Sequence, residues 1–331
     1  MPDEMFEFRW QVEKDPYNWV RAPWHEGFLG KRREPDLFLT SGVADGVARP
    51  LAQYYPLRQH TGLFRHFAAV EVTRESIQKF ANSYGLLGGD VSTQILLPGK
   101  GLMQVSFEQR KGCKPKEAMT LGTGETILSW AREISAMRQA LEFWDLVAAG
   151  DKRRLLQYVH WARPDAVHIQ FERGGLVLAS PEIHSYRLQY LNKGDVIRPA
   201  LFYVQEVINK HLETRVSPRL LWDGKREQMS LYFVPNSLIG ALWLQFARAV
   251  DGRKKYERCG ECKTWFEVSL DAARTNRRYC KDPCRFKAYR SRQIEARQLF
   301  GEGIAIKEIA KRLDSDIATV KSWVNRPSRT T

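Results

Sequence analysis

The chain of 331 residues lacks an uninterrupted apolar run near the roughly 18 residues that a membrane-spanning helix requires. It also lacks a secretory leader, because its first residues, MPDEMFEFRWQVEKDPYNW, are acidic and aromatic rather than basic and then apolar. We therefore expect a cytoplasmic protein without a membrane partner.

Cysteine is scarce, and its placement excludes a secreted disulfide framework. The chain has five cysteines, and four of them fall within residues 259–284. Disulfide-rich secreted domains are small and dense in cysteine, whereas clustered thiol pairs in an intracellular protein are more often metal-binding or catalytic. The fifth, Cys113 in RKGCKPK, has no cysteine near it and is predicted to be a free thiol.

Short catalytic motifs are absent as well. The chain contains no GxxxxGK[ST] phosphate loop, no HExxH, no GxSxG and no dinucleotide-binding fingerprint. Its seven histidines are scattered, which favours surface or core positions. The sequence gives no support for catalysis and leaves the question of an enzyme open, since an active site assembled from distant residues of 1–250 would leave no short motif.

Positive charge is what the chain has in excess. Hydrophobic residues make up 43% and charged residues 27%, near the average of globular proteins. The net charge is +14, and residues 251–331 hold +9 of it, with 20 basic and 11 acidic side chains. Residues 274–297 alone carry nine basic and two acidic side chains. This excess fits a partner with phosphates or an anionic surface.

Residues 1–250 are predicted to form a mixed α+β domain that serves as a sensor or in oligomerisation. Apolar residues recur at helical spacing in three segments, 73–85, 125–150 and 237–250. Short antiparallel hairpins are expected to turn at the Gly-Gly of 174–175 and the Asp-Gly of 223–224. The first 70 residues are predicted to be loops packed on this body.

The four clustered cysteines have the spacing of a metal site. Two residues separate Cys259 from Cys262, three separate Cys280 from Cys284, and seventeen lie between the pairs. Four thiolates complete a closed tetrahedral Zn²⁺ site, which leaves no position for a substrate or an activated water, so we expect structural zinc. Another thiophilic metal, an iron–sulfur cluster and a redox pair are the alternatives; the last lacks its usual βαβ context.

The residues around these cysteines outline a treble clef, with a knuckle at the first pair, a short hairpin begun by Trp265 and Phe266, and a helix opened by the second pair. The module resembles the CGNR-type zinc finger of bacterial proteins over about residues 237–292. It departs from that family after Cys284, where Arg-Phe-Lys replaces Gly-Asn-Arg. The resemblance implies DNA binding and transcriptional regulation. The side chains predicted to hold phosphates are Arg274, Arg277, Arg278, Arg285, Lys287, Arg290 and Arg292.

The segment 303–326, GIAIKEIAKRLDSDIATVKSWVNR, resembles the helix-turn-helix of resolvases and regulators. Asp316 is expected to cap a second helix over 317–325 that would enter the major groove. Asp314 stands in the turn where glycine is usual. The side chains that this helix would offer to bases and phosphates are Thr319, Lys321, Ser322, Asn325 and Arg326.

Together these patterns predict an α+β protein of three parts: a mixed N-terminal domain (1–250), a four-cysteine zinc treble clef (251–292) and an all-α helix-turn-helix (293–331). We expect a bacterial or phage transcriptional regulator that binds double-stranded DNA and associates with the nucleoid. One alternative is a nuclease or toxin with its active site in residues 1–250. Another is an adaptor whose helix-turn-helix contacts a protein such as RNA polymerase. A homodimer is compatible with each of these.

Overall fold

A computed structural model describes nine stretches of the chain: residues 8–21, 37–41, 51–98, 119–163, 166–171, 174–179, 192–224, 226–268 and 277–325. The chain divides into two compact units, Met1–Arg253 and Lys254–Thr331. Helices and short antiparallel sheets are both present, which confirms the predicted α+β class. Within these stretches, no helix combines the length and the apolar character needed to cross a membrane.

Seven helices of the N-terminal unit lie in the described stretches. They are α1 (Pro56–Gln59), α2 (Leu63–Ala68), α3 (Arg74–Tyr84), α4 (Ile127–Ala149), α5 (Lys152–Leu155), α6 (Ile197–Leu212) and α7 (Leu238–Asp251). Thr73, Thr126 and Ser237 cap α3, α4 and α7, because each side-chain oxygen accepts a hydrogen bond from the N–H three residues on. The three helices predicted from apolar spacing are confirmed.

The strands of the N-terminal unit are short. They are β1 (Trp10–Glu13), β2 (Tyr17–Arg21), β3 (Leu37–Ser41), β4 (Leu51–Tyr54), β5 (Thr93–Pro98), β6 (Met119–Thr126), β7 (Val159–Arg163), β8 (Ala166–Phe171), β9 (Gly174–Ala179), β10 (Val216–Asp223) and β11 (Gln228–Pro235). In the described residues they form four antiparallel sheets, with the orders β1-β4, β2-β3-β6-β5, β7-β8-β9 and β10-β11.

Two of the sequence predictions for this unit are wrong. The first 70 residues contain β1 to β4, α1 and α2 instead of loops alone. Strand β3 pairs with β6, and Phe38 lies opposite Thr126. The residues that stabilise β3 as a strand are therefore far from it in the sequence. The hairpin predicted around the Gly-Gly pair forms as β8 and β9, but the turn was placed wrongly, because Gly174 and Gly175 pair with Phe171 and Gln170 inside the ladder. The hairpin predicted at Asp223-Gly224 is confirmed.

The core of the N-terminal unit is built on α4 and α7. Trp130 and Ile134 of α4 are fully buried at helical spacing, and so is Trp243 of α7. Burying each such side chain stabilises the fold by about 1.5–3 kcal/mol. Gly240 allows α7 to pack closely, because a Cβ at that position would lie 2.7 Å from the backbone oxygen of Arg215. Any larger residue there must push the two segments apart.

The C-terminal unit has two strands and three helices in its described residues. They are β12 (Tyr256–Arg258), β13 (Trp265–Glu267), α8 (Asp282–Gly301), α9 (Ile306–Arg312) and α10 (Ile317–Asn325). The unit has two small cores, one around Cys259 and Phe266 and the other around Ile309 and Trp323. Helix α8 contributes Cys284 to the first core and Ala296 to the second. One continuous helix therefore joins the cysteine module to the three-helix part.

Candidate metal centre and basic surface

The first cysteine pair lies in the turn between β12 and β13. The N–H of Cys259 donates to the carbonyl oxygen of Thr264 at 2.9 Å, and the N–H of Lys263 donates to the carbonyl oxygen of Cys259 at 3.0 Å. Lys263 has a φ of 60°, in the left-handed region that closes a tight turn. The knuckle is thus enclosed by the hairpin, whereas the sequence placed the hairpin after it.

The second pair lies at the start of α8. Cys280 precedes the helix and Cys284 lies in its first turn. The N–H of Cys280 donates to Sγ of Cys259 at 3.4 Å. The N–H of Gly260 donates to the carbonyl oxygen of Arg278 at 2.9 Å. These two hydrogen bonds, one to a cysteine sulfur and one between backbone groups, connect the two pairs and bring the four thiols together.

The four sulfur atoms have the spacing that one tetrahedral ion requires. All lie within 4.8 Å of one another. The Sγ atoms of Cys262 and Cys280 are 3.5 Å apart, and those of Cys280 and Cys284 are 3.6 Å apart. A zinc ion with Zn–S bonds of about 2.3 Å places its four sulfurs about 3.8 Å from one another. Among the described residues this is the one group of potential metal ligands, and its geometry fits a metal ion.

The thiols influence one another strongly. Burial and hydrogen bonding to the neighbouring thiols raise the pKa of Cys280. Burial opposes ionisation of Cys262 as well, but hydrogen bonding with Thr264 outweighs it and lowers that pKa to about 6. Four thiolates this close repel one another unless a cation neutralises them. The donor set is thus suited to a soft divalent cation and poorly suited to four free thiols.

Arg277 belongs to the structure of the centre rather than to a free surface. Its guanidinium lies 5.7 Å from the ring centroid of Phe266. Nε donates to the carbonyl oxygen of Tyr279 at 2.9 Å, and Nη2 donates to that of Cys280. The side chain therefore fixes the backbone that enters the second pair, a role that the basic run in the sequence does not reveal.

Arg278 connects the cysteine module to the three-helix part. Its Nη1 lies 2.8 Å from Oδ2 of Asp314, and the two side chains are 72% and 76% exposed. Asp314 has a φ of 47° in the turn between α9 and α10, the conformation for which glycine is usually chosen. The carboxylate of Asp314 therefore forms an ion pair at this turn. The hydrogen bond that Arg278 donates to it holds the pKa of Asp314 below the ordinary value.

The cations of α8 differ in what they contact. Arg285 pairs with Asp282 at 3.2 Å, and Lys287 pairs with Glu261 at 2.9 Å. Arg290 is exposed and has no ion-pair or hydrogen-bond partner for its side chain among the described residues. Arg292 is half-buried, and its Nε makes no hydrogen bond to any group that the structure describes. Arg290 is thus the most available cation of this helix.

Helix α10 has the bounds and the cap that the sequence predicts. Asp316 accepts from the N–H of Thr319 at 2.7 Å and from its hydroxyl at 2.6 Å. The hydroxyl of Ser322 donates to the carbonyl oxygen of Thr319 at 2.8 Å. Lys321 and Asn325 are exposed on the helix, and their side chains have no partner in the part of the chain that the structure describes. Arg274 and Arg326 lie outside the described residues.

Tyr289 and Arg297 attach α8 to α10, which sequence reasoning did not anticipate. Nε1 of Trp323 donates to the hydroxyl of Tyr289 at 2.8 Å, with their rings edge to face at 5.4 Å. Nε of Arg297 donates to the carbonyl oxygen of Trp323 at 2.9 Å. The sequence signal available for this contact was an aromatic residue in each of the two helices, Tyr289 in α8 and Trp323 in α10. These bonds hold α10 in a fixed orientation on the helix that carries Cys284.

The comparisons with known proteins are negative. No family model, no curated protein and no solved structure matches this chain. A functional assignment therefore rests on the geometry and charge of the residues themselves.

The N-terminal unit has its own group of charges, centred on Arg215. Its guanidinium bonds Asp90 at 2.7 and 2.8 Å and Glu133 at 2.7 and 3.0 Å. His211 stacks on Trp243 with ring centroids 4.0 Å apart, and its Nδ1 lies 2.9 Å from Nη1 of Arg215. Each carboxylate is thus bonded by groups of the chain itself, which is the arrangement of a structural ion cluster.

Proposed function

We propose that Lys254–Thr331 is a DNA-binding unit folded around one Zn²⁺ ion, and that the protein regulates transcription in a bacterium or a phage. The observation that carries this proposal is the continuity of α8. Its first turn holds Cys284, its middle presents Arg290, and its last turns pack against α10. A metal-folded module and a base-reading helix are thus parts of one body.

Zinc is the ion that suits the cysteine group best. Four sulfur donors at tetrahedral spacing select Zn²⁺ or an iron centre, and the turn that carries the first pair, together with the helix that follows the second, supports a treble clef. With four protein ligands the ion has no open position, so its contribution is to fold the module. Cys259, Cys262, Cys280 and Cys284 would hold it.

The arrangement of α9 and α10 supports a helix-turn-helix. The chain turns at Asp314, and α10 follows as the helix that would enter the major groove. Lys321 and Asn325 are four residues apart, so they lie on one face of α10. Lysine reads guanine and asparagine reads adenine by hydrogen bonds to base edges. The hydroxyls of Thr319 and Ser322 form hydrogen bonds within α10 and its cap. We therefore assign these two residues to positioning the helix and not to reading bases.

Charge supplies the non-specific part of the binding. The C-terminal unit carries 19 basic and 10 acidic side chains, net +9 in 78 residues, against +5 for the first 253 residues. Arg290 and Lys321 are available as they stand. Arg278 and Arg285 are engaged in exposed ion pairs, which are weak and exchange readily for a phosphate.

A salt series tests the proposal. Fluorescence anisotropy would measure the affinity of the full chain for a random duplex between about 50 and 200 mM salt. With about four phosphate contacts, we expect affinity to fall roughly 100-fold over this range. Absence of binding at the lowest salt, or binding that ignores salt, would contradict DNA recognition.

Two variants separate the assigned roles. Arg290→Ala should weaken binding to every duplex and reduce the salt slope by about one. Asn325→Ala should instead reduce the difference between a selected site and a random duplex, by about 1–3 kcal/mol. Lys79→Ala, at an exposed lysine of α3, is the matched control and should change neither quantity. Identical behaviour of the first two variants would show that the roles are misassigned.

A further inference from the structure

The hairpin of β10 and β11 is a sheet by itself in the described part of the chain. The two eight-residue strands pair from Val216 opposite Pro235 to Asp223 opposite Gln228, and no third strand joins them there. Its base packs on the core, because Val216 and Phe233 contact the cluster that contains Leu244 of α7. A two-stranded hairpin is marginally stable in water unless something covers a face.

One face of this hairpin is apolar along its whole length. Residues directly opposite each other point to the same face, and alternate residues along a strand share it. The face consists of Val216, Pro218, Leu220, Trp222, Met229, Leu231, Phe233 and Pro235. It contains no charged side chain, and its one polar side-chain group is the indole N–H of Trp222. The surface that begins in the core therefore continues outward with the same character.

The outer half of that face is exposed. Trp222 is 63% exposed, Leu220 61%, Met229 53% and Leu231 47%. We call these four side chains the hairpin face. Together they offer on the order of 500 Å² of surface, the size at which an apolar patch on a single chain marks an interaction site. A specific interface buries at least about 1,000 Å² in total, or about 500 Å² on each copy, which is the area that the hairpin face offers.

We propose that the hairpin face is where two copies of this chain associate, packed face to face about a two-fold axis. A two-fold contact requires a surface complementary to itself, and an apolar face without charge meets that requirement. Dimer interfaces are also richer in apolar surface than transient ones. An anionic partner is disfavoured because the face offers it no positive charge.

Dimerisation also suits the proposed function. This supporting argument, unlike the others, rests on the proposed function. A single short reading helix contacts few base pairs, and helix-turn-helix proteins commonly pair to bind two half-sites. The surface argument from the hairpin face does not depend on that link. Dimerisation and DNA binding can accordingly fail separately.

The test measures the molar mass of the full chain by sedimentation velocity at concentrations from about 1 to 100 μM. We expect a reversible dimer in the wild type. Trp222→Arg places a charge in the hairpin face and should weaken association at least 100-fold, whereas Trp222→Phe should preserve it. Leu128→Arg is the matched control, because Leu128 is an equally exposed apolar residue on α4 at 66% exposure. Circular dichroism would establish that each variant is folded.

The outcomes separate cleanly. A wild type that stays monomeric at the highest concentration overturns the inference, and so does a dimer that Trp222→Arg leaves intact. Open-ended assembly instead of a closed dimer also overturns it. A monomeric protein that still binds DNA would leave the proposed function standing, while a dimer sensitive to Trp222→Arg that ignores DNA would support the hairpin face and reject the proposed function.

Discussion

Arg215 in the N-terminal unit and Arg278 in the C-terminal unit use the same side chain in opposite ways. Arg215 is 7% exposed and bonds both Asp90 and Glu133, whereas Arg278 is 72% exposed and holds a single partner, Asp314. Burial alone would lower the pKa of Arg215, but its bonds to the carboxylates raise it. Arg215 is therefore fixed in the interior by its two carboxylate partners, whereas the exposed Arg278 can exchange Asp314 for another anion.

The same contrast extends to what holds each unit together. The N-terminal unit buries large apolar side chains such as Trp130 and Trp243 around its ion cluster. The cysteine module has a core of a few residues, around Phe266 and Val268, to which the cysteines themselves contribute. A core that small rarely folds alone, so we expect metal binding to supply the stability that apolar burial cannot. Substitutions in the two units should therefore fail in different ways.

The largest effect is expected from Cys262→Ser. Removing one of four thiolates should abolish the binding of a metal whose coordination contributes about 10 kcal/mol or more to folding. Elemental analysis should fall from one metal ion per chain to none, and the signals of the C-terminal unit in an NMR spectrum should collapse. Cys113→Ser is the control and should keep the metal. Retention of one ion per chain in Cys262→Ser would defeat the four-thiolate site.

A smaller but still large effect is expected from Arg215→Met. The substitution leaves Glu133, 6% exposed, as a buried carboxylate without its partner. Breaking such a pair costs about 3–5 kcal/mol, so the unfolding temperature of the N-terminal unit should drop while metal content stays unchanged. Lys79→Met on exposed α3 should change stability by less than about 0.5 kcal/mol. Equal effects of the two substitutions would mean that the cluster is not structural.

The smallest of the three effects concerns pH. Burial lowers the pKa of His211 to about 4, and the Arg215 guanidinium, which aims a donor at Nδ1, requires the neutral ring. The unfolded histidine titrates near 6.5, so its contribution is present above that pH and is lost as pH falls toward 4. The loss should approach about 3 kcal/mol and should be confined to the N-terminal unit.

Thermal unfolding at a series of pH values between about 7 and 4 would measure this loss. His211→Gln keeps a hydrogen-bond acceptor without a titrating ring, so its stability should vary less with pH over the same interval. Parallel pH dependence in the wild type and in His211→Gln would assign the acid sensitivity to other groups. Asp90 would not be one of them, because its pKa is lowered by the hydrogen bond to Arg215 and its contribution is lost only below about pH 3.9, outside this interval.

Local signals in the sequence predicted most of the helices and the cysteine cluster. Thr73 and Gly85 bound α3, and Asp316 caps α10, because caps and apolar spacing act within one or two turns. The four strands before residue 55 were not predictable, because the strands with which they pair lie elsewhere in the chain. The role of Arg277 was missed for another reason. The carbonyl oxygens that it bonds are only two and three residues away, but a run of basic residues does not show which side chain turns back onto the backbone.

The most direct test of the account is the DNA affinity of the full chain as its metal is removed. A chelator would be titrated into the protein while anisotropy follows a labelled duplex, and Zn²⁺ would then be added back. We expect binding to fall together with metal content and to return with zinc, while the N-terminal unit keeps its unfolding temperature. Undiminished DNA binding by the metal-free protein would contradict the account.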